Sequence, residues 1–109
     1  MGWFSHDTED DAIKQISKIN VEMRAISSLI HLNYNMIDGR NRDKIRSHVN
    51  TLISLANKYE KIKSNLSQMD QMLLMGATVD VWNGERVGIY TWEVYFSNTM
   101  KQLAIDINY

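Results

Sequence analysis

The chain has 109 residues, a formal net charge of −1, no cysteine and no proline. This length suits one domain with a single core, so we treat residues 1–109 as one unit. The small net charge gives no support to polyanion binding, and the lack of cysteine excludes a disulfide framework and thiolate chemistry. No apolar run approaches the roughly 18 residues of a transmembrane span.

Residues 1–7 form a short tail that contains two aromatic side chains, Trp3 and Phe4. We expect them to pack on the first helix as a hydrophobic staple. The alternative is an anchor for a partner or for a membrane surface. The tail lacks the basic and apolar regions of a secretory signal, so a cytoplasmic location is expected. Secretion without a leader stays open.

A helical pattern runs over residues 8–75 and is interrupted once, at Asp38-Gly39. Thr8 and Asp11 form a Thr-x-x-Asp capping arrangement at its start. Apolar residues then recur every three or four positions in both arms, which predicts two amphipathic helices. Because the connection between the arms is short and has turn chemistry, the two helices are predicted to be antiparallel neighbours.

The two arms of this hairpin are predicted to differ in length. At 1.5 Å per residue the first spans on the order of 40 Å and the second about 50 Å. The second arm is expected to end at a left-handed Gly76 cap and therefore outruns the first. We expect a second copy of the chain to cover the overhang about a two-fold axis, giving a homodimer. The self-association candidates are Ile62, Leu66, Met69 and Leu73.

Residues 77–92 predict a small β-hairpin, because strand-forming residues flank a turn at Asn83-Gly84. A loop over residues 82–84 places Val79 opposite Val87 and puts Gly84 in the left-handed conformation.

A short C-terminal helix is predicted over residues 97–107, while residues 93–96 fit either the ribbon or this helix. The fold class is therefore mainly α (α+β). It combines a long antiparallel helical hairpin, a small β-hairpin and a short C-terminal helix.

The alternative fold is an all-α three-helix bundle. Trp82-Asn83-Gly84 is a Trp-x-Gly tripeptide that is followed by Tyr90 and by apolar residues at helical spacing, Met100 and Leu103. This arrangement resembles the turn and second helix of the WXG100 family, small helical hairpins exported by type VII secretion systems. The resemblance covers at most the last quarter of the chain and lacks the family's trailing Tyr-x-x-x-Asp/Glu signal. It implies one helix over residues 85–107 and a secreted helical protein.

The chain carries no recognisable catalytic or cofactor motif. His6, His31 and His48 lie far apart, and none has a partner at metal-ligand spacing. Ser5 lies beside His6 but lacks the third group and the elbow that a nucleophile requires. The glycines are scattered, so no phosphate-binding loop is predicted. We expect neither an enzyme nor a cofactor.

Aromatic residues near the C-terminus predict a protein-binding surface. A small core cannot bury all of them, and exposed aromatic side chains are common anchors of interfaces. The partner-binding candidates are Trp82, Tyr90, Trp92, Tyr95 and Phe96. The favoured function is a non-enzymatic protein–protein interaction module of inhibitor, immunity or adaptor type. Such a module occupies a surface of another protein, whose identity the sequence does not give.

Nucleic-acid binding is a further alternative, because basic residues crowd the tip of the predicted hairpin. These residues are Arg40, Arg42, Lys44 and Arg46. Such a cluster is typical of a phosphate clamp. The net charge disfavours a nucleic-acid partner, so a solvated helix tip is the preferred interpretation.

Overall fold

The computed structural model describes residues 7–32 and 39–107, with the backbone alone for residues 31, 32 and 39–41. The Trp3-Phe4 pair and the connection over residues 35–38 lie outside the described residues. The elements are α1 (Glu9–Leu32), α2 (Gly39–Ser64), α3 (Gln68–Met75), β1 (Thr78–Asp80), β2 (Arg86–Gly88) and α4 (Ile89–Ile107). The predicted mainly helical fold with a small β-hairpin is confirmed.

Thr8, the predicted capping residue, directly precedes the first residue of α1. The backbone N–H of Thr8 donates to Asp11 Oδ2 at 2.8 Å, and the N–H of Asp11 donates to Thr8 Oγ1 at 3.4 Å. The hydrogen bond from the Thr8 backbone, followed by the one from its side chain, lowers the pKa of Asp11 because both favour the carboxylate. The apolar stripe of α1 lies in the core, at most 2 % exposed, and consists of Ala12, Ile16, Ile19, Met23 and Ile26.

The apolar period predicted that the second arm is one helix to residue 75, but the structure divides this arm into two helices. A new helix, α3, starts after Ser67, whose Oγ accepts a hydrogen bond from the N–H of Asp70 at 3.1 Å. Ser67 and Asp70 repeat the spacing of Thr8 and Asp11, so the sequence contained this start signal. With 24 residues in α1 and 26 in α2, the predicted overhang is not formed. Gly76 caps α3 at φ −89°, which is right-handed and not the predicted left-handed conformation.

The β-hairpin has the predicted register. Val79 pairs with Val87, and the N–H of Val81 donates to the oxygen of Glu85 at 2.7 Å, which closes the loop over residues 82–84. Gly84 has a φ of 90°, the left-handed conformation that glycine adopts without strain. Because β1 and β2 pair as antiparallel strands, the all-α alternative is wrong.

Helix α4 is longer than predicted. It begins at Ile89 and not at residue 97, so the ribbon ends at Gly88 and residues 93–96 are helical. The apolar period of this helix extends back to its first residue, through Ile89, Trp92, Phe96, Met100, Leu103 and Ile107. Isoleucine and tyrosine at its start are also good strand formers, which is why the ribbon was predicted to continue.

One core joins the described elements, and α1 lies at its centre. Helices α2 and α3 and strand β1 all contact α1. Two polar side chains of α1, Gln15 and Asn20, are buried with the apolar ones. Gln15 Nε2 donates to the backbone oxygen of Leu55 at 2.9 Å, which connects α1 to α2. Within the part of the chain that the structure describes, no helix is long and apolar enough to cross a bilayer.

Candidate functional site

The five aromatic residues of the predicted surface differ in burial. Trp92 is buried and Phe96 is half-buried, and their i, i+4 spacing places both on the inner side of α4. Tyr90 is 69 % and Tyr95 37 % exposed, and Trp82 is half-buried in the hairpin loop. The five aromatic residues therefore do not form one continuous surface.

Trp92 connects three elements of the fold. Its indole N–H donates to Asn20 Oδ1 at 3.0 Å, and Asn20 Nδ2 donates to the backbone oxygen of Asp80 at 2.5 Å. The indole also meets the ring of Tyr59 edge-on, with centroids 5.7 Å apart, and stacks on Phe96 at 5.3 Å. Because every buried polar group in this cluster has a partner, the cluster fixes α4 against α1 and β1.

A polar cluster lies at one end of the contact between α2 and α4. Glu93 Oε2 accepts hydrogen bonds from the Tyr59 hydroxyl at 2.9 Å and from Lys63 Nζ at 2.6 Å. Burial, reinforced by the negative charge of Glu93, raises the pKa of Tyr59. The hydroxyl therefore stays protonated at neutral pH and donates to Glu93. The three side chains satisfy one another and hold α4 on α2.

Beyond this cluster, a groove of about 620 Å³ separates α2 from α4. Its lining is mostly apolar, and the buried rings of Tyr59 and Trp92 form part of it. The α2 wall contains Ile53, Ala56, Asn57 and Glu60. The α4 wall contains Phe96, Met100, Lys101 and Ala104. Alanine stands on both walls, so no large side chain fills the space between the two helices.

Of the residues that line this groove, only Trp92 and Phe96 were among the partner-binding candidates predicted from the sequence. The sequence also contained a signal for Ala56 and Ala104, because Ala56 lies on the apolar stripe of the second arm and Ala104 on that of the C-terminal helix. Small residues on two facing stripes leave a gap between helices. The sequence could not show that these two stripes face each other.

A second apolar surface lies on α3, where Leu74 is the only buried residue. The predicted self-association surface is wrong in part, since Ile62 and Leu66 lie in the core of the chain itself. Residues 65–67 separate α3 from α2. Four apolar side chains of this short helix are between 49 % and 73 % exposed, namely Met69, Met72, Leu73 and Met75.

The basic residues predicted at the hairpin tip lie in the first turns of α2. Lys44 and Arg46 are exposed and Arg42 is half-buried, while the side chain of Arg40 lies outside what the structure describes. At about 100° per residue, Arg42 and Arg46 project from one side of α2 and Lys44 from the other. These residues therefore do not form a single clamp.

The titratable residues form no cation site in the described part of the chain. Over residues 7–32 and 39–107, no group of three His, Cys, Asp or Glu residues is placed to hold a metal ion. His48 Nδ1 lies 3.1 Å from Glu22 Oε1 and connects α2 to α1. His6 and the side chain of His31 lie outside the described residues.

The comparisons with known proteins do not place the chain in a family. No protein-family model matches it. Comparisons with curated proteins and with solved structures also give no match.

Proposed function

We propose that this chain is a non-enzymatic protein-binding module of inhibitor, immunity or adaptor type. It occupies a surface of its partner through the groove between α2 and α4. The observation that carries the proposal is the open, mainly apolar groove of about 620 Å³. An apolar groove that receives a segment of a partner protein is a recurring mode of protein recognition. The base of the groove is preformed, because Asn20 and Tyr59 fix the position of Trp92.

The polar side chains around the groove support binding and not turnover. Tyr59, Lys63 and Glu93 are bonded to one another, so none of them is poised to transfer a proton to a ligand. The remaining polar groups at the edge include Asn57 and Ser97, both exposed. A nucleophile needs an adjacent base and an orienting third group, and the described residues of the groove provide no such arrangement.

Site-specific photocrosslinking tests this function in cells that make the protein. A benzophenone amino acid replaces Met100, which lines the groove, or Lys18, which is exposed on α1 and lies outside it. We expect a discrete crosslinked protein from the Met100 position and none from the Lys18 position. Ala104→Trp fills the groove and should abolish the crosslink. Identical products from both positions, or none from either, would contradict the proposal.

A homodimer formed through α3 is a second candidate, favoured by the four exposed apolar side chains of that helix. Methionine side chains adapt to irregular contacts. Asp70 is the only charged residue in α3, so two copies can meet about a two-fold axis with little charge repulsion. The surface is small compared with the roughly 800 Å² per partner of a stable complex, so we expect a weak dimer.

Sedimentation equilibrium at high micromolar concentration tests the dimer. We expect wild type to exceed the monomer mass of 12.7 kDa and Leu73→Glu to remain at it. Val21→Glu is the matched control, because Val21 is also apolar and exposed, at 64 % against 49 % for Leu73, but lies on α1. A wild-type protein that stays at 12.7 kDa throughout contradicts this second candidate.

Three further predictions from the sequence have no comparable support. Binding of a nucleic acid is not supported by a continuous basic surface, because Arg42 and Lys44 project from different sides of α2. A secreted WXG100-like role stays a prediction, and the single helix it implied over residues 85–107 is interrupted by strand β2. The cytoplasmic location also stays a prediction, which fractionation of cells that make the protein would check.

A further inference from the structure

The proposed binding groove is a slot between α2 and α4, and the order of its lining residues indicates that the two helices run in opposite directions. Lys63 meets Glu93 at one end at 2.6 Å, and Ile53 and Ala104 line the groove towards the other end. The α4 wall from Glu93 to Ala104 is about 16 Å long at 1.5 Å per residue. This length corresponds to about three turns of an α-helix.

The construction of the walls selects a helical occupant over a β-strand. A β-strand of a partner binds by adding its backbone to the edge of a sheet. Both walls of this groove are helices, whose backbone N–H and C=O groups are bonded internally. Neither β1 nor β2 lines the groove. A helix needs only side-chain contacts, and its ridge packs into a groove of this kind.

The groove also carries opposite charges at different positions along its length. Glu93 is neutralised by Lys63, whereas Glu60 and Lys101 form no ion pair with any described residue. Measured from the Lys63–Glu93 pair at 1.5 Å per residue, Glu60 lies about 4.5 Å along α2 and Lys101 about 12 Å along α4. The two unpaired charges are therefore separated by roughly 8 Å along the groove.

We infer that the groove binds an amphipathic α-helix of a partner protein that places a basic residue beside Glu60 and an acidic residue beside Lys101. The inference rests on the proposed function, because it names the occupant of the same groove. The apolar ridge of the helix fills the space that Ala56 and Ala104 leave open. A separation of roughly 8 Å corresponds to a basic and an acidic residue about five positions apart on that helix.

Three synthetic helical peptides provide the probe. They share one apolar ridge and differ only at two positions five residues apart, which carry Lys and Glu, Lys and Lys, or Glu and Glu. Each is titrated into the full chain while the methyl signals of Ala56 and Ala104 are followed by NMR. We expect the mixed peptide to bind wild type most tightly, by roughly two- to fivefold, as exposed charge pairs contribute.

Charge reversal in the protein should change the ranking of the peptides. Lys101→Glu leaves acidic residues at both positions, so the Lys and Lys peptide becomes the tightest ligand. Glu60→Lys favours the Glu and Glu peptide for the same reason. Lys58→Glu is the matched control, because Lys58 is exposed on α2 outside the groove, and it should keep the wild-type ranking. The same ranking in all proteins overturns the inference.

The results also separate this inference from the proposed function. If no peptide shifts the methyl signals at millimolar concentration while the Met100 crosslink persists, the helical occupant is wrong and the binding function stands. If both the crosslink and the peptide shifts are absent, both proposals fall. If the methyl signals of Ala56 and Ala104 shift with protein concentration alone, a second copy occupies the groove and the inference is overturned.

Discussion

Helices α1 and α3 start with the same kind of cap and both have apolar residues at helical spacing, yet the apolar stripe of α1 is buried whereas four of the five apolar residues of α3 are exposed. In α1, Met23 is 1 % exposed, whereas Met72 in α3 is 71 % exposed. Helix α1 contacts α2, α3 and β1, and its contact with α2 is extensive, whereas α3 is a helix of only eight residues that contacts α1 and α4. An apolar stripe therefore predicts that one side of a helix packs against another part of the chain or against another molecule. Whether the chain itself covers that side depends on how many elements pack around the helix.

A pair of identical substitutions gives the largest expected effect and tests this comparison directly. Met23→Ala should lower the free energy of unfolding by about 2–5 kcal/mol, because it leaves a cavity in the core. Met72→Ala, measured at a concentration too low for the weak α3 dimer to form, should change it by no more than about 0.5 kcal/mol, as expected for a surface site. Urea denaturation followed by tryptophan fluorescence measures both. Equal losses for the two variants would show that α3 is covered in solution.

The single buried asparagine of α1 gives the next largest effect. Asn20→Ala removes the acceptor of the Trp92 indole N–H and the donor to the Asp80 oxygen. We expect a loss of about 1–3 kcal/mol, because buried polar groups are left without partners. Asn50→Ala on the exposed side of α2 is the control and should be nearly neutral. The indole N–H signal of Trp92 in NMR spectra should move in the first variant alone.

Local patterns in the sequence predicted the parts of the fold that local interactions determine. The Thr8 cap, the apolar stripe of α1 and the hairpin register around Gly84 all depend on residues close in sequence. The beginning of α4 was missed because Ile89 suits a strand and a helix equally well. The groove was missed because it depends on the distance between α2 and α4, which Trp92, Asn20 and Glu93 set through contacts that are distant in sequence.

The β-hairpin, whose strand β1 contacts α1, provides a further pair of matched substitutions. Gly84→Val should cost about 1 kcal/mol or more, because a β-branched residue is strained at a φ of 90°. Gly88→Val is the control, since Gly88 has an ordinary backbone conformation and nothing lies within 4 Å of an added Cβ. We expect Gly88→Val to change stability by about 0.5 kcal/mol or less. Thermal denaturation monitored by circular dichroism compares the two variants.

The smallest effect concerns Tyr59, a residue of α2 that is buried in the core. Its pKa is raised in the folded chain, first by burial and then by Glu93, whereas an unfolded tyrosine ionises near about pH 10. The stability that this difference contributes is fully present below about pH 10 and is lost as the pH rises further. Tyr59→Phe should therefore weaken the decline of the melting temperature above about pH 10. Tyr95→Phe, which removes an exposed hydroxyl, should reproduce the wild-type decline. Parallel curves for wild type and Tyr59→Phe would show that the hydroxyl of Tyr59 reaches water in solution and that α4 does not stay closed on α2.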